Sequence, residues 1–258
     1  MLLPHDEAGD GPAIVLLHAG IADRSMWDEH LAPLAAAGHR AIAIDLPGFG
    51  DAPVAPEQSP WLDVMQTLDA LDAGPAAFVG NSFGGAVALR VAFLAPARVR
   101  ALVLVSAPAP GLEPSERLLA VWAAEESALQ RGDVEAAVDA IVDGWTLPGA
   151  PAALRERVAR MQRRALELQL AVDEPPEGAD PLEDDPAATL ATIRAPALVA
   201  VGELDMPDFL DGADALARQL PDARRAVIAG AGHLAPLERP EAFCELVLGY
   251  LAELPAAS

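Results

Sequence analysis

The chain has 258 residues, a length that suits one α/β domain or one domain with an insertion and that allows a large buried core. Its 17 basic and 39 acidic residues give a formal net charge of -22, which argues against nucleic acid or an anionic membrane as a partner because phosphate binding needs a basic face. Every one of those basic residues is Arg, and the absence of Lys excludes Schiff-base chemistry and a phosphate-loop lysine.

The cysteine content and the N-terminal sequence bear on disulfides, metal binding and localisation. Cys244 cannot form an intrachain disulfide, a single thiol offers no cluster for a metal, and its apolar helical context predicts buried packing. Residues 1–7 lack the basic and apolar regions of a signal peptide, and no apolar run reaches the length of a membrane span. We expect a cytoplasmic protein that uses neither a metal nor another cofactor.

The first half of the chain alternates continuous apolar runs with helical patterns. Such runs are typical of central strands in a parallel sheet that is covered on both faces. Ser25 is the expected N-cap of the first helix, and Gly38 closes that helix. The predicted strands lie at 13–18, 40–45, 76–79 and 99–105, and the predicted helices at 26–37, 61–73 and 86–94. Repeated strand–helix units imply a parallel sheet with right-handed crossovers.

The pattern changes after residue 107. No strand is expected from 108 to 190, where Gly- and Pro-containing turns separate three helical stretches and an acidic, Pro-rich connector follows. The helical stretches are 115–130, 133–145 and 151–172, and the connector is 173–187. The alternation then resumes, with predicted strands at 197–201 and 225–228 and predicted helices at 210–219 and 240–251.

The stretch Gly80-Asn81-Ser82-Phe83-Gly84 stands between a predicted strand and a predicted helix, which is the context of a nucleophile elbow. Glycine at positions 80 and 84 suits a turn too tight for flanking side chains, and the turn exposes Ser82 above the sheet. The amide of Phe83 falls in the first helical turn, where N–H groups lack intrahelical partners and can hold a developing oxyanion. An ordinary serine at a strand–helix junction is the alternative interpretation of the pentapeptide alone.

A serine nucleophile requires a base, and the base requires an orienting acid. Of the five His, His233 lies in a Gly-rich loop directly after the last predicted strand, and Asp205 follows the preceding strand. Both loops follow the carboxyl ends of parallel strands, where open α/β sheets place their sites. The order Ser82, Asp205, His233 predicts a catalytic triad. Glu203 and Asp208 compete for the acid, and the spacing after the strand favours Asp205.

Four motifs in this order make nearly the whole chain resemble the α/β-hydrolase fold family. They are His18-Ala19-Gly20, Asp45-Leu46-Pro47-Gly48-Phe49-Gly50, Gly80-Asn81-Ser82-Phe83-Gly84-Gly85, and the pair Gly202-Glu203-Leu204-Asp205 with Gly232-His233. The resemblance implies a doubly wound, mostly parallel sheet whose core comprises residues 1–107 and 191–258. It also implies that residues 108–190 form an inserted all-helical cap.

The resemblance further implies the roles of individual residues. Ser82 is the expected nucleophile, His233 the general base and acid, and Asp205 the group that orients His233. The oxyanion hole would come from the amide of Phe83 and an amide at Gly20 or Ile21.

Two departures from the family pattern affect these expectations. The family usually has His-Gly where this chain has His18-Ala19, which leaves the second oxyanion donor open between Gly20 and Ile21. The family also begins with an antiparallel pair of strands, but only residues 1–12 precede the first clear strand here. We expect the first family strand to be missing and the second to be a short edge at residues 2–6.

Other side chains have both a structural and a functional interpretation. Trp122, Trp145 and Met206 are candidate substrate contacts, although each residue type is more often part of a core. His18 is expected to brace the oxyanion loop and Asp45 to fix a loop. An Arg cluster on the third helical stretch is expected to be a solvated face paired with neighbouring acids. Its members are Arg155, Arg157, Arg160, Arg163 and Arg164.

The sequence favours a serine hydrolase that acts on a small carboxylic ester or lactone. A carbon–carbon bond hydrolase or a cofactor-free perhydrolase with the same triad is the first alternative, and a ligand-binding protein with a vestigial site is the second. The expected partner is a small molecule, with no nucleic acid and no membrane, and the sequence leaves the oligomeric state open.

Overall fold

The computed structural model describes residues 2–254 and contains a seven-stranded sheet. Its strands are β1 (His5–Ala8), β2 (Ala13–Leu17), β3 (Arg40–Ile44), β4 (Ala76–Asn81), β5 (Val99–Val105), β6 (Ala197–Gly202) and β7 (Ala223–Ile228). Their order is β1-β3-β2-β4-β5-β6-β7, and the neighbouring pairs are parallel except β1 with β3. Every residue of β2, β4 and β6 is buried, so the sheet is covered on both faces.

Helices alternate with the strands and confirm the predicted α/β fold. They are α1 (Asp28–Ala36), α2 (Pro60–Ala70), α3 (Phe83–Leu94), α4 (Glu116–Gln130), α5 (Val134–Trp145), α6 (Ala152–Gln169), α7 (Pro186–Leu190), α8 (Pro207–Gln219), α9 (Ala235–Glu238) and α10 (Pro240–Glu253). α3 packs against β2, β4 and β5, α8 packs against β6 and β7, and α1 contacts α10. Cys244 on α10 is buried, as predicted. Among residues 2–254 no helix combines the length and apolar character that crossing a membrane requires.

The N-terminal edge strand lies further along the chain than predicted. The sequence placed it at residues 2–6, whereas β1 is His5–Ala8. Pro4 has no N–H to donate to a ladder, but its carbonyl accepts a hydrogen bond from the Asp45 amide at 2.9 Å. The side chain of Leu3 is fully buried, and its N–H donates to Thr67 Oγ1 at 3.0 Å. Residues 3 and 4 therefore anchor the chain, and strand pairing starts at residue 5.

Capping groups explain most differences in helix boundaries. Asp23, not Ser25, caps the first helical turn, because its side chain accepts a hydrogen bond from the Ser25 N–H. The short helix α7, which was not predicted, starts with an Asp185 N-cap followed by Pro186. α8 begins with Pro207, three residues earlier than predicted, and α9 is a further four-residue helix that the sequence pattern missed.

The three helices α4, α5 and α6 lie between β5 and β6 in the chain, and we call them the helical insertion. α5 contacts both α4 and α6. The insertion is tied to the loops around the sheet: Gln169 Nε2 donates to the Gly48 carbonyl at 3.1 Å, and Arg164 Nε donates to the Gly50 carbonyl at 3.1 Å. The division into core and cap stays a prediction, and its outermost positions, residue 1 and residues 255–258, lie outside the described residues.

Candidate active site

The turn that carries Ser82 joins the end of β4 to the start of α3. The backbone of Ser82 has φ 51° and ψ -114°. A residue held in such a sparsely populated backbone conformation often marks a functional position. A Cβ on Gly84 would lie 2.1 Å from the Leu17 carbonyl oxygen, and one on Gly80 would lie 2.4 Å from the Gly84 carbonyl carbon. The turn therefore closes only with glycine at these positions, and Ser82 projects from it.

His233 contacts Asp205 in the loops that follow β7 and β6. The Nδ1 of His233 lies 3.1 Å from Oδ1 and 3.2 Å from Oδ2 of Asp205. Both residues are buried, and Oδ1 also accepts a hydrogen bond from the Met206 amide at 2.7 Å. Nδ1–H donated to a carboxylate leaves the lone pair of Nε2 free to accept a proton.

The two competing acids, Glu203 and Asp208, form hydrogen bonds with groups other than His233. Glu203 is exposed, and its Oε2 accepts a hydrogen bond from the Gly230 amide at 2.8 Å. Asp208 accepts hydrogen bonds from the amide and the hydroxyl of Ser115, both at 2.6 Å. Burial acts to raise the pKa of Asp208, but the hydrogen bonds from Ser115, the amide of Asp208 itself and the charge of Arg117 together lower it. Asp205 is thus the carboxylate of the three that contacts His233.

Two polar side chains that sequence reasoning did not single out hold the loop around His233. Asn81 Nδ2 donates to the carbonyls of Val105 and His233, each at 3.1 Å, and so links the elbow to the His loop. Glu238 on α9 accepts a hydrogen bond from the Gly232 amide at 2.5 Å, and burial raises the pKa of Glu238. The position of Asn81 inside the elbow motif could have indicated its role. No sequence pattern predicted α9, so nothing pointed to Glu238.

His18 braces the loop after β2 and is not placed beside Asp205. Its Nε2 accepts from the Leu46 amide at 2.9 Å, so Nδ1 carries the proton that is donated to the Ala19 carbonyl at 2.8 Å. Burial lowers the pKa of His18, which favours this neutral form. The His18 carbonyl accepts from the Gly84 amide at 3.0 Å and joins this loop to the elbow.

Asp45 fixes the loop after β3 from inside the protein. Its fully buried carboxylate accepts hydrogen bonds from the amides of Arg24 at 2.7 Å and Asp51 at 2.8 Å and forms an ion pair with the Arg24 guanidinium. A Cβ on Gly50 would lie 2.3 Å from this carboxylate, which explains the glycine at that turn.

A cavity of about 580 Å³ lies between the sheet and the helical insertion, within the range typical of small-molecule sites. Its wall contains Ser82 and His233 together with the three expected oxyanion residues, Gly20, Ile21 and Phe83. The structure thus brings together the serine, the base and the candidate oxyanion donors on one surface.

The candidate substrate contacts divide between the cavity wall and the core. Trp122 and Trp145 both line the cavity, and the ring centroid of Trp145 lies 4.5 Å from that of His233. Met206 is buried and lies outside the described residues that form the wall of this cavity, and its amide donates to Asp205. Phe209, which was not predicted, lines the cavity and packs on His233 at 4.2 Å.

Four of the five Arg residues of the α6 cluster, all but Arg160, form ion pairs with neighbouring acids as predicted, and none of the five is among the described residues of the cavity wall. Arg163 forms an ion pair with Glu135 at 2.6 Å, and Arg157 reaches Glu29 at 3.0 Å. Within residues 2–254 no group of three or more His, Cys, Asp or Glu side chains could hold a metal ion.

The fold and the placement of Ser82, Asp205 and His233 are those of α/β enzymes with a Ser–acid–His arrangement at the carboxyl ends of the strands. A family model described as "Alpha/beta hydrolase family" matches residues 14–246. The chain belongs to the α/β-hydrolase family and is an α/β-fold hydrolase.

Similar proteins include hydrolases of several substrate types. A 2-hydroxy-6-oxo-6-phenylhexa-2,4-dienoate hydrolase from Burkholderia cepacia is 31% identical, with 96% of this chain and 90% of the relative covered. A thermophilic esterase from Thermogutta terrifontis is 25% identical with a TM-score of 0.78, covering 97% of this chain and 93% of the other. An enol-lactonase from Burkholderia xenovorans LB400 is 25% identical with a TM-score of 0.77, covering 97% of this chain and 96% of the other.

Proposed function

We propose that this protein is a serine hydrolase that cleaves a small carboxylic ester or lactone through an acyl-enzyme on Ser82. The observation that carries the proposal is the contact of His233 Nδ1 with Asp205 beside the same cavity that Ser82 lines. A base oriented by a buried carboxylate next to a serine on a strained turn is the arrangement that activates a serine hydroxyl.

The reaction follows from the free lone pair on His233 Nε2. Nε2 takes the hydroxyl proton of Ser82 as Oγ attacks the carbonyl carbon, and Asp205 stabilises the imidazolium that forms. The amide of Phe83, with that of Gly20 or Ile21, donates to the oxyanion. His233 then gives the proton to the departing alkoxide, and a water deprotonated by His233 hydrolyses the acyl-enzyme and regenerates Ser82.

The charge of the cavity wall favours an ester or lactone over the carbon–carbon bond alternative. The Burkholderia cepacia relative carries a dienoate, and therefore a carboxylate, in the name of its substrate. Among the described residues that line this cavity there is no Arg, whereas Glu113, Glu125 and Asp208 supply carboxyl groups. A substrate carboxylate would meet repulsion here without a cation to offset it. The helical insertion, in this proposal, acts as a cap that shapes the site for an uncharged small molecule.

Steady-state hydrolysis of an ester and lactone panel tests the proposal. The wild type should turn over uncharged p-nitrophenyl esters or lactones, and Ser82→Ala should lower kcat by about 10³-fold or more while the melting temperature stays within a few degrees. Undiminished hydrolysis by Ser82→Ala would refute the assignment. Turnover of a vinylogous diketone without ester turnover would favour the carbon–carbon hydrolase, and tight ligand binding without any turnover would favour a vestigial site.

A further inference from the structure

The part of the cavity wall that α4 and α5 contribute is apolar and extends from the reaction centre to the surface. Trp145 and Ile141, one turn apart on α5, line the cavity and are buried, and the ring centroids of Trp145 and His233 lie 4.5 Å apart. On α4, Leu118 is also buried, whereas Trp122, one turn further along the same face, is 46% exposed. Trp122 therefore lies at the mouth of the cavity, and the other three apolar side chains lie deeper.

Close packing of α4 on α5 forms this wall before any ligand binds. The two helices contact each other along their lengths. A Cβ on Gly144 of α5 would lie 2.6 Å from Cγ1 of Val121 on α4, so the absence of a side chain at Gly144 allows the helices to approach. An apolar surface that is already in place binds a ligand without the cost of ordering it first.

Two large apolar side chains face water at the mouth. Leu112, in the segment before α4, lines the cavity and is 48% exposed, about as much as Trp122. Apolar surface of this kind beside a pocket gains free energy when a ligand covers it. Leu119 provides a comparison, because it is also 48% exposed on α4 but lies outside the described residues of the cavity wall.

The carboxyl groups of the wall already have hydrogen bonds or water. Glu125 accepts a hydrogen bond from Gln162 Nε2 at 3.2 Å, and Asp208 accepts two from Ser115. Glu113 is exposed, so water can solvate it. The surface that a ligand can cover on this side of the cavity is therefore mainly apolar.

We infer that this wall binds an unbranched apolar chain on the non-reacting part of the substrate, with the far end of the chain against Trp122 and Leu112. The inference rests on the proposed function, because it names the substrate class of the same cavity. The chain belongs either to the acyl group or to the alcohol of the ester, since both present the same methylene surface. Each methylene that leaves water for the wall strengthens the binding of substrate and transition state alike, and this raises kcat/KM.

Two ester series test the inference. The p-nitrophenyl esters from acetate to octanoate lengthen the acyl group, and the acetates from methyl to octyl acetate lengthen the alcohol. In at least one series the wild-type kcat/KM should rise by about 2- to 4-fold per added methylene, the range expected when a methylene is buried. Flat or falling values in both series would overturn the inference.

Substitutions at the mouth locate the far end of the chain. In the series that rises, Trp122→Ala should lower kcat/KM for the octyl-length ester by about 10-fold and for the shortest ester by less than about 2-fold, because only the long chain reaches the mouth. Leu112→Ala should lower the same ratio by about 3-fold. Leu119→Ala, matched to both in exposure, should leave the ratio of long to short ester unchanged.

The outcomes distinguish this inference from the function on which it rests. Equal losses for short and long esters in Trp122→Ala, or the same change of ratio in Leu119→Ala, would overturn the inference, and Leu112→Ala decides if Trp122→Ala does not fold. Hydrolysis of p-nitrophenyl acetate that is lost in Ser82→Ala, without any gain from chain length, would overturn the inference and leave the serine hydrolase intact. No hydrolysis of any ester by the wild type would overturn both.

Discussion

The two walls of the cavity are built in different ways. On the sheet side, Ser82 and His233 are held by contacts to neighbouring backbone, such as the bond from the Gly84 amide to His18 and the bonds that Asn81 donates to two carbonyls. On the side of the helical insertion, apolar side chains such as Trp122, which is 46% exposed, face the open cavity. Among the described residues of that wall, Gln162 Oε1 and Trp145 Nε1 are buried polar atoms without a hydrogen-bond partner.

This difference separates the chemistry of the proposed site from its specificity. A reacting group must be held in one geometry, and a network of backbone hydrogen bonds and glycine contacts provides that rigidity. Choosing among substrates requires only shape and a few polar groups, which side chains on packed helices can supply. Substitutions on the sheet side should therefore abolish turnover or destabilise the fold. Substitutions in the helical insertion should change which substrates are preferred.

The largest effect predicted for this comparison is the loss of turnover when the acid is replaced. Asp205→Asn removes the charge that stabilises imidazolium and disturbs the Nδ1–H tautomer, so we expect kcat to fall by about 10⁴-fold with the fold retained. Glu203→Gln is the matched control, because an amide oxygen can still accept from the Gly230 amide, and we expect it to change kcat by less than about 3-fold. Ester hydrolysis kinetics would measure kcat for both variants, and circular dichroism would check that both are folded. A larger loss of kcat in Glu203→Gln than in Asp205→Asn would identify Glu203 as the acid instead.

A glycine in the elbow should matter more for stability than an exposed helical glycine. Gly84→Ala places a Cβ 2.1 Å from the Leu17 carbonyl oxygen, a backbone atom that cannot move away cheaply. We expect a loss of at least about 2 kcal/mol of unfolding free energy, measured by urea denaturation. Gly249→Ala on α10 has no atom within 4 Å of the added Cβ and should gain up to about 1 kcal/mol. Equal stabilities for the two variants would contradict the close packing of the elbow.

The smallest predicted effect concerns the charge of Glu125. Because burial raises its pKa in the folded state, ionisation costs the folded protein stability. The contribution of protonated Glu125 to stability is fully present below its pKa in the unfolded state, about 4.3. It is lost as the pH rises through the pKa of Glu125 in the folded state. Glu125→Gln avoids this loss, so its melting temperature relative to the wild type should increase from about pH 4 to pH 8. Glu126→Gln, which is exposed, should show no such trend; a shared trend would indicate general charge repulsion.

The sequence predicted the sheet side far better than the insertion side. The positions of Ser82, Asp205 and His233 follow from strand ends and glycine turns, which are local patterns that backbone geometry imposes. The pairing of Glu125 with Gln162 joins residues 37 positions apart on two helices, and neither lies in a motif. Helix packing alone brings them together, so no local pattern could reveal it. The role of Met206 as a substrate contact stays a prediction, because its side chain is buried and lies outside the described wall of the large cavity.

Labelling with a fluorophosphonate probe, mapped by peptide mass, tests most directly whether the sheet side holds an activated nucleophile. The proposed mechanism predicts one adduct, on Ser82, which is absent in Ser82→Ala and forms much more slowly in His233→Asn. Glu126→Gln on the exposed face of α4 should label at the wild-type rate. An adduct on another residue, or equal labelling rates for wild type and His233→Asn, would contradict the assignment of Ser82 and His233.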